Sequence, residues 1–391
     1  MMLNAQFQSI ARRPPVIIAG LLVLAILMFL AVTRLVHRFG EQEKALARHM
    51  FEQGQAEQRA GNPDRAIEDF RAALLYNRDD FQYQLSLAAA LRDSGRTEES
   101  ETYLIGLWEG KPQDGMVNRA LGRLAARQGS VEKAIQYYHN AAYGVWASDA
   151  DQNRLNAEFE LIEFLLRANA RPQAQAELIT LAASHSSDTV TQLRIASSFV
   201  RAQDYEHALE IYREVLQAEP NNTAAATGAG EMTFTLGQYH AAESALRNAL
   251  RLNPVDARLN ELLQTTTMIL QSDPFDRQVS FAEQKRRLGN ALEQAGARLD
   301  ACAKAQNVDL TQPNSSSSNP LSALKERWLA VKHDISGTNS ARENDETTIA
   351  MDLIADIEQQ TAHVCGAPSG MDEALLLLSQ DRMSNPAGGS K

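Results

Sequence analysis

A small residue returns every 34 positions through the middle of this chain, with a large apolar residue four positions after it and a turn residue five positions before it. The frame sets repeats at 47–80, 81–114, 115–148, 155–188, 189–222 and 223–256, with six extra residues at 149–154. The small position holds Ala66, Ser100, Ala134, Ala174, Ala208 and Ala242. Four residues on, one helical turn away on the same face, stand Phe70, Leu104, Tyr138, Leu178, Tyr212 and Leu246, which can fill the space the small residue leaves. The turn position carries Gly61, Gly95, Gly129, Asn169, Gln203 and Gly237; the glycines and the asparagine suit the left-handed conformation that ends a helix. Near the end of each frame, Pro112, Pro220 and Pro254 cannot continue a helix, while Arg78, Trp146 and Ser186 fill that place elsewhere. Two helices per period, stacked period on period, make a helical solenoid.

This pattern resembles the tetratricopeptide repeat family, over about 210 of the 391 residues. The first-helix signature is partly kept: Gly54, Gly122 and Gly230 occupy its small site, and Ala88, Ile162 and Ala196 replace it elsewhere. The fourth repeat departs most, and the longer loop from Trp146 to Asn153 is expected to shift its packing against the third. The resemblance implies an all-α superhelical solenoid, right-handed, with the first helices lining a concave groove.

A second signal lies at the start. Val16 to Thr33 is an uncharged run of 18 residues between Arg12-Arg13-Pro14-Pro15 and Arg34; as a helix it spans roughly 27 Å, near the hydrocarbon thickness of a bilayer. A cleavable signal peptide competes, but the run is long for one and no Ala-x-Ala site follows it. A retained single-span anchor over 16–36 is the preferred reading, after a short tail at 1–15. Orientation is divided. Arg34, Arg38, Lys44 and Arg48 outnumber Arg12 and Arg13, so the positive-inside count does not favour an exported body. A basic pair before a span this early looks like an uncleaved signal anchor, and Cys302 and Cys365, the two cysteines of the chain, lie where a staple in an oxidising compartment would. A periplasmic or extracellular body with a disulfide is preferred; two buried thiols in a cytosolic body remain the alternative.

The solenoid is expected over 41–256 and capping and long helices over 257–306. Ala257 to Gln271 reads as a cap that hides the apolar side of the last repeat, Asp273-Pro274 breaks the chain, and Gln278 to Gln306 is a long charged helix. A Ser-rich linker occupies 307–320. A helical domain over 321–382 has stretches at Leu321 to His333, Thr347 to Val364 and Met371 to Gln380, in which Trp328, Leu329, Ile354, Ile357 and Leu375 to Leu378 pack together. A tail at 383–391 reads as disordered. A bridge between Cys302 and Cys365 would close a loop across the linker, and loop entropy sets its contribution at about 4 kcal/mol.

The composition excludes several function classes. A net charge of −11 and a pI of 5.3 argue against a general nucleic-acid or anionic-lipid binder. The chain has no phosphate-cradling glycine loop, nucleophile elbow, His-Glu-x-x-His pair or paired CxxC. His363, Cys365 and Cys302 lack a fourth ligand. No enzyme activity, cofactor or metal is expected, and binding remains.

The family resemblance implies that six positions of each first helix face the groove. On this chain they include Arg92, Arg119, Arg123, Arg127, Arg167, Arg194 and Arg201, with Arg119, Arg123 and Arg127 spaced four apart on one helix face. A basic stripe in an acidic protein offers guanidinium forks to an extended acidic segment or a C-terminal carboxylate. The plainer reading, given more weight, is a solvated face balanced by Asp93, Glu160, Glu163 and Glu231. Phe51, Leu85, Phe159, Leu193 and Phe234 project to the same surface, where they favour peptide capture or else pack into the core. The Lys and Asn clamp of the chaperone-binding branch is missing. The expected function is a membrane-anchored scaffold or adaptor for a protein or extended peptide partner, in envelope assembly, secretion or quality control. A structural homo-oligomer and an accessory protein of polysaccharide export are the alternatives, the latter weakened by scarce aromatics.

Overall fold

A computed structural model describes residues 14–185, 188–276, 278–310, 319–337 and 343–384. Most of the N-terminal tail, the centre of the Ser-rich linker and the C-terminal tail fall outside the described residues. Among those described, the secondary structure is helical apart from one isolated bridge between Asp114 and Val145. The helices form two compact units, 1–174 and 175–391.

In the first unit, α1 (Pro14–Arg59) is one uninterrupted helix of 46 residues. Its side chains from 18 to 39 stand in the open, with Phe29 70% exposed, yet by Ala47, at 0%, the same helix is packed in a core. The hairpin partner of its last turns is α2 (Pro63–Tyr76), and α3 (Phe81–Asp93), α4 (Thr97–Gly110), α5 (Gly115–Arg127), α6 (Val131–Ala142) and α7 (Ala150–Arg167) follow. The division between the units falls within α8 (Arg171–Ser184). The second unit contains α9 (Thr189–Arg201), α10 (Tyr205–Ala218), α11 (Thr223–Thr235), α12 (Tyr239–Leu252) and α13 (Ala257–Ser272). Then come α14 (Phe281–Ala305), α15 (Pro320–Gly337), α16 (Glu343–Cys365) and α17 (Met371–Ser384).

The periodic residues do the packing. All six small residues are fully buried, and Ser100 donates its hydroxyl to the Ala88 carbonyl at 2.7 Å, which removes the cost of burying it. A Cβ on Gly54 would come within 2.6 Å of the Phe70 ring, so the glycine admits the neighbouring bulky residue. Every turn residue of the frame is left-handed, from Gly95 at φ 85° to Asn169 at 55° and Gln203 at 59°; Gln203 takes the conformation although its side chain disfavours it. Asp80, Asp114, Asp188, Asn222 and Asp256, at the last position of five frames, cap the next first helix with side-chain bonds to its backbone N–H groups.

The long loop after the third repeat folds back on that repeat. Val145 exchanges backbone hydrogen bonds with Gln113 and Gly115, each 2.8 Å, and the Trp146 ring lies over Gly115, where a side chain would collide with it. The Trp146 indole donates to the Ala141 carbonyl at 2.9 Å.

After the solenoid, one core joins α13 to α17 and the turn of the sixth repeat: Tyr239, Ile269, Leu292, Leu299, Trp328, Ile354, Ile357, Leu375 and Leu378 are buried in it, with Phe234 against its edge. Leu329, expected in this core, is 54% exposed; the helix that buries Trp328 turns its next residue about 100° outward. Cys302 and Cys365 are joined by a disulfide with Cα atoms 5.8 Å apart.

Candidate functional site

The arginines separate into two groups. Arg92, Arg119, Arg123 and Arg127 come together in the first unit, on α3 and α5, with Glu160 of α7. Arg123 grips Glu160 through two hydrogen bonds, Nε to Oε2 at 2.8 Å and a terminal nitrogen to Oε1 at 2.6 Å. Arg119 donates to the same carboxylate, its Nε at 3.1 Å from Oε1. Arg92 folds onto its neighbour Asp93, with Nε 3.0 Å from Oδ1, and Arg127 reaches the Asp93 carbonyl at 3.5 Å. Arg119 and Arg123 thus share one carboxylate, and Arg92 and Arg127 meet Asp93.

The cluster is half-buried, which sets its electrostatics. Burial pushes the Glu160 carboxyl up, but the hydrogen bonds from Arg123 and Arg119 outweigh that and hold it below the usual carboxylate range. Glu160 in turn raises Arg123. Beneath them lies Tyr138, 3% exposed, its phenol pushed up to about 12 by burial first and by Glu160 second. The spacing of α5 accounts for the arrangement: residues four apart share a face, and Tyr138 of α6 packs against Gly122 on the same helix, with ring carbons 3.0 Å from where a Cβ would be.

The other expected site residues lie elsewhere. Arg167 is exposed at the end of α7 and donates to the Glu163 carbonyl at 3.2 Å. Arg194 and Arg201 are exposed on α9 of the second unit. Phe159 does not line a surface: it is 1% exposed, a core residue of α7. Phe51 is also drawn inward, its ring centroid 4.6 Å from Tyr83 and 5.5 Å from Phe70. Large rings at these positions lose more by facing water than by filling the space between stacked hairpins. Phe234 is covered by the C-terminal helices. The apolar part of the expected surface is therefore mostly core, and the basic part is what remains on the outside.

Sequence reasoning did not find Tyr138 as a neighbour of the arginines, because its place in the frame already explained it as a filler. Asn153, 3.5 Å from Arg119, sits in the inserted segment, where the 34-residue register gives no guidance. A buried charged group around Glu358 in the C-terminal helices was also missed; its signal was a glutamate within the apolar stripe Ile354, Ile357, Thr361.

Sequence profiles of the tetratricopeptide repeat family match residues 51–106 and 199–265. With the stacked hairpins and buried small residues described above, these matches show that the chain carries tetratricopeptide repeats, an architecture that serves as a protein-interaction scaffold. Similar solved structures include PilF of Pseudomonas aeruginosa, at 15% identity and TM-score 0.37, covering 56% of this chain and 97% of that one. PilW, a type IV pilus biogenesis factor, is similar at 14% identity and TM-score 0.36, with 56% and 98% covered. The C-terminal part of a repeat protein from Cytophaga hutchinsonii is similar at 12% identity and TM-score 0.42, with 61% and 93% covered. No curated protein matches the chain.

Proposed function

We propose that the chain is a membrane-anchored scaffold whose repeats hold an acidic, extended segment of a protein partner, with the body on the exported side of the membrane. The observation that carries the reading is the single helix α1, in which 18 to 39 are exposed and mostly apolar and the last turns are the first helix of the first repeat. Such a helix is long and apolar enough to cross a bilayer, and its apolar side chains have no protein neighbours to cover them. The Cys302–Cys365 disulfide supports the exported side, because such bonds persist in oxidising compartments.

The choice of an acidic segment is supported by the patch around Arg119 and Arg123. Glu160 fixes both guanidiniums in place, so less side-chain entropy is lost when a ligand arrives. The two arginines outnumber the carboxylate they share, and their field is concentrated on a half-buried surface. No catalytic role is proposed; the work is binding. The test is fluorescence anisotropy of labelled Glu- and Asp-rich peptides with the detergent-solubilised chain. Binding that weakens about tenfold in the Arg119→Ala/Arg123→Ala variant and falls with added salt supports the reading. Equal binding of neutral and acidic peptides, unaffected by the two substitutions, removes the acidic partner from it.

A further inference from the structure

Arg298 of α14 is the hub of a buried polar junction between α14, α16 and α17. It donates to Thr361 Oγ1 through Nε at 2.8 Å, to the Gly366 carbonyl at 3.0 Å and to Asp372 Oδ2 at 3.3 Å. Gln294, one turn earlier, donates to the other oxygen of Asp372 at 2.9 Å. Glu358 stands in the middle, 0% exposed. Its Oε2 is 3.0 Å from Arg298 Nε, but the Nε hydrogen is directed at Thr361, and neither oxygen of Glu358 accepts a hydrogen bond.

One guanidinium therefore faces two carboxyl groups, one of them fully buried. Burial, then the charge of Asp372, push the Glu358 carboxyl up to about 8 against the pull of Arg298. Other charged groups on the packed helices are engaged elsewhere: at the far end of α17, Asp381 is pushed up by burial and then by the charge of Asp273. From α15, Lys325, Arg327 and Lys332 pair with Asp300, Asp356 and Glu293. On α16, Asp352, Asp356 and His363 are exposed, and on α17 the group that acts on Glu358 is Asp372.

The disulfide lies one helical turn beyond this junction on both helices, four residues after Arg298 and four after Thr361. Beyond the junction, α17 runs to the sixth repeat. Leu375 and Leu378 enter the core that contains Tyr239, with Phe234 at its edge. Asp381 lies against the left-handed turn at Gly237, φ 69°, so closely that a side chain there would collide with it.

We propose that this junction is a guarded latch: the Cys302–Cys365 bond holds the end of α16, from which the chain passes to α17, against α14, and once that bond is reduced, loss of the proton on Glu358 parts α16 from α14 and releases α17 from Phe234 and Tyr239. Reduction by a dithiol passes two electrons and two protons to the bond, giving two thiols and the cyclic disulfide of the reductant. The ionised Glu358 and Asp372 then repel across a single guanidinium, with no covalent tie between α14 and α16 to hold the junction shut. A buried charge without hydrogen bonds is costly, and separation of α17 lets water solvate it. The surface uncovered at the turn of the sixth repeat carries the rings of Phe234 and Tyr239. With the bond intact, the same ionisation is contained.

The test is hydrogen exchange of the full chain in detergent micelles at about pH 6.5 and about pH 9, with rates normalised for chemical exchange, before and after reduction with a dithiol. The oxidised chain is expected to keep its protection in 371–384 and 232–240 at both pH values. The reduced chain, and the Cys302→Ser/Cys365→Ser variant without reductant, are expected to lose at least about tenfold in protection there at the higher pH alone. Adding Glu358→Gln to that double variant should restore protection at the higher pH. Loss of protection in the oxidised chain overturns the proposal. So does a reduced chain that is closed at both pH values or open at both, or one whose response survives Glu358→Gln.

Discussion

Arg123 holds Glu160 from the facing helix by two hydrogen bonds, 2.8 and 2.6 Å long, and shares that carboxylate with Arg119. One acidic side chain thus organises two basic ones, and the three are best understood together. Replacing Glu160 by Ala leaves two half-buried guanidiniums facing each other without their common acceptor. The expected cost is about 2 kcal/mol of stability, from lost charge-assisted hydrogen bonds. The pH response has a definite sign. Glu160 is held below its usual range in the folded chain, so its contribution is present above the unfolded carboxylate range and is lost as pH falls through the folded value. Urea unfolding of the wild type and of Glu160→Ala should therefore give midpoints that differ at neutral pH and converge in acid.

The periodic part of the molecule was open to reading because each of its residue types has one job. A residue touching two neighbouring helices has to be small, and Ala66 through Ala242 are buried to the last atom. The arginines of α5 were placed on one face by spacing alone, and Glu160 was already identified as a balancing charge. Fine burial could not be read: Phe159 shares the frame position of Arg119, and only the packing around each repeat decides that one faces inward and the other outward. The aspartate caps at the frame ends carry a recurring chemical signal that apolar periodicity does not register. Leu329 shows the opposite limit, since a leucine beside a buried tryptophan is free to face solvent.

Gln203 occupies a turn where four other repeats use glycine, with φ at 59°. A side chain in the left-handed region costs about 1 kcal/mol. The substitution Gln203→Gly should raise stability by about 0.5 kcal/mol, the remainder being offset by the greater freedom of glycine in the unfolded chain. Asn169→Gly should gain less, because asparagine tolerates that conformation. Denaturant midpoints of the two variants check the order.

Ala208 is fully buried between the helices of its repeat. Leucine there has to displace packed neighbours, and Ala208→Leu should lower stability by about 3 kcal/mol. Val255→Leu, at a residue 89% exposed, should change it by less than about 0.5 kcal/mol. Thermal melts of both variants followed by helical circular dichroism separate a packing requirement from a general intolerance of larger side chains.

In the proposed scaffold, α1 serves at once as a membrane span and as the first helix of the first repeat. Alkaline carbonate extraction of membranes from cells making the full chain, with mass determination of the N-terminal peptide, tests it most directly. The expected result is the chain in the membrane pellet with residues 16–36 still attached, and a chain lacking residues 1–40 in the soluble fraction. Recovery of a soluble chain whose N-terminus begins after residue 36 would contradict it.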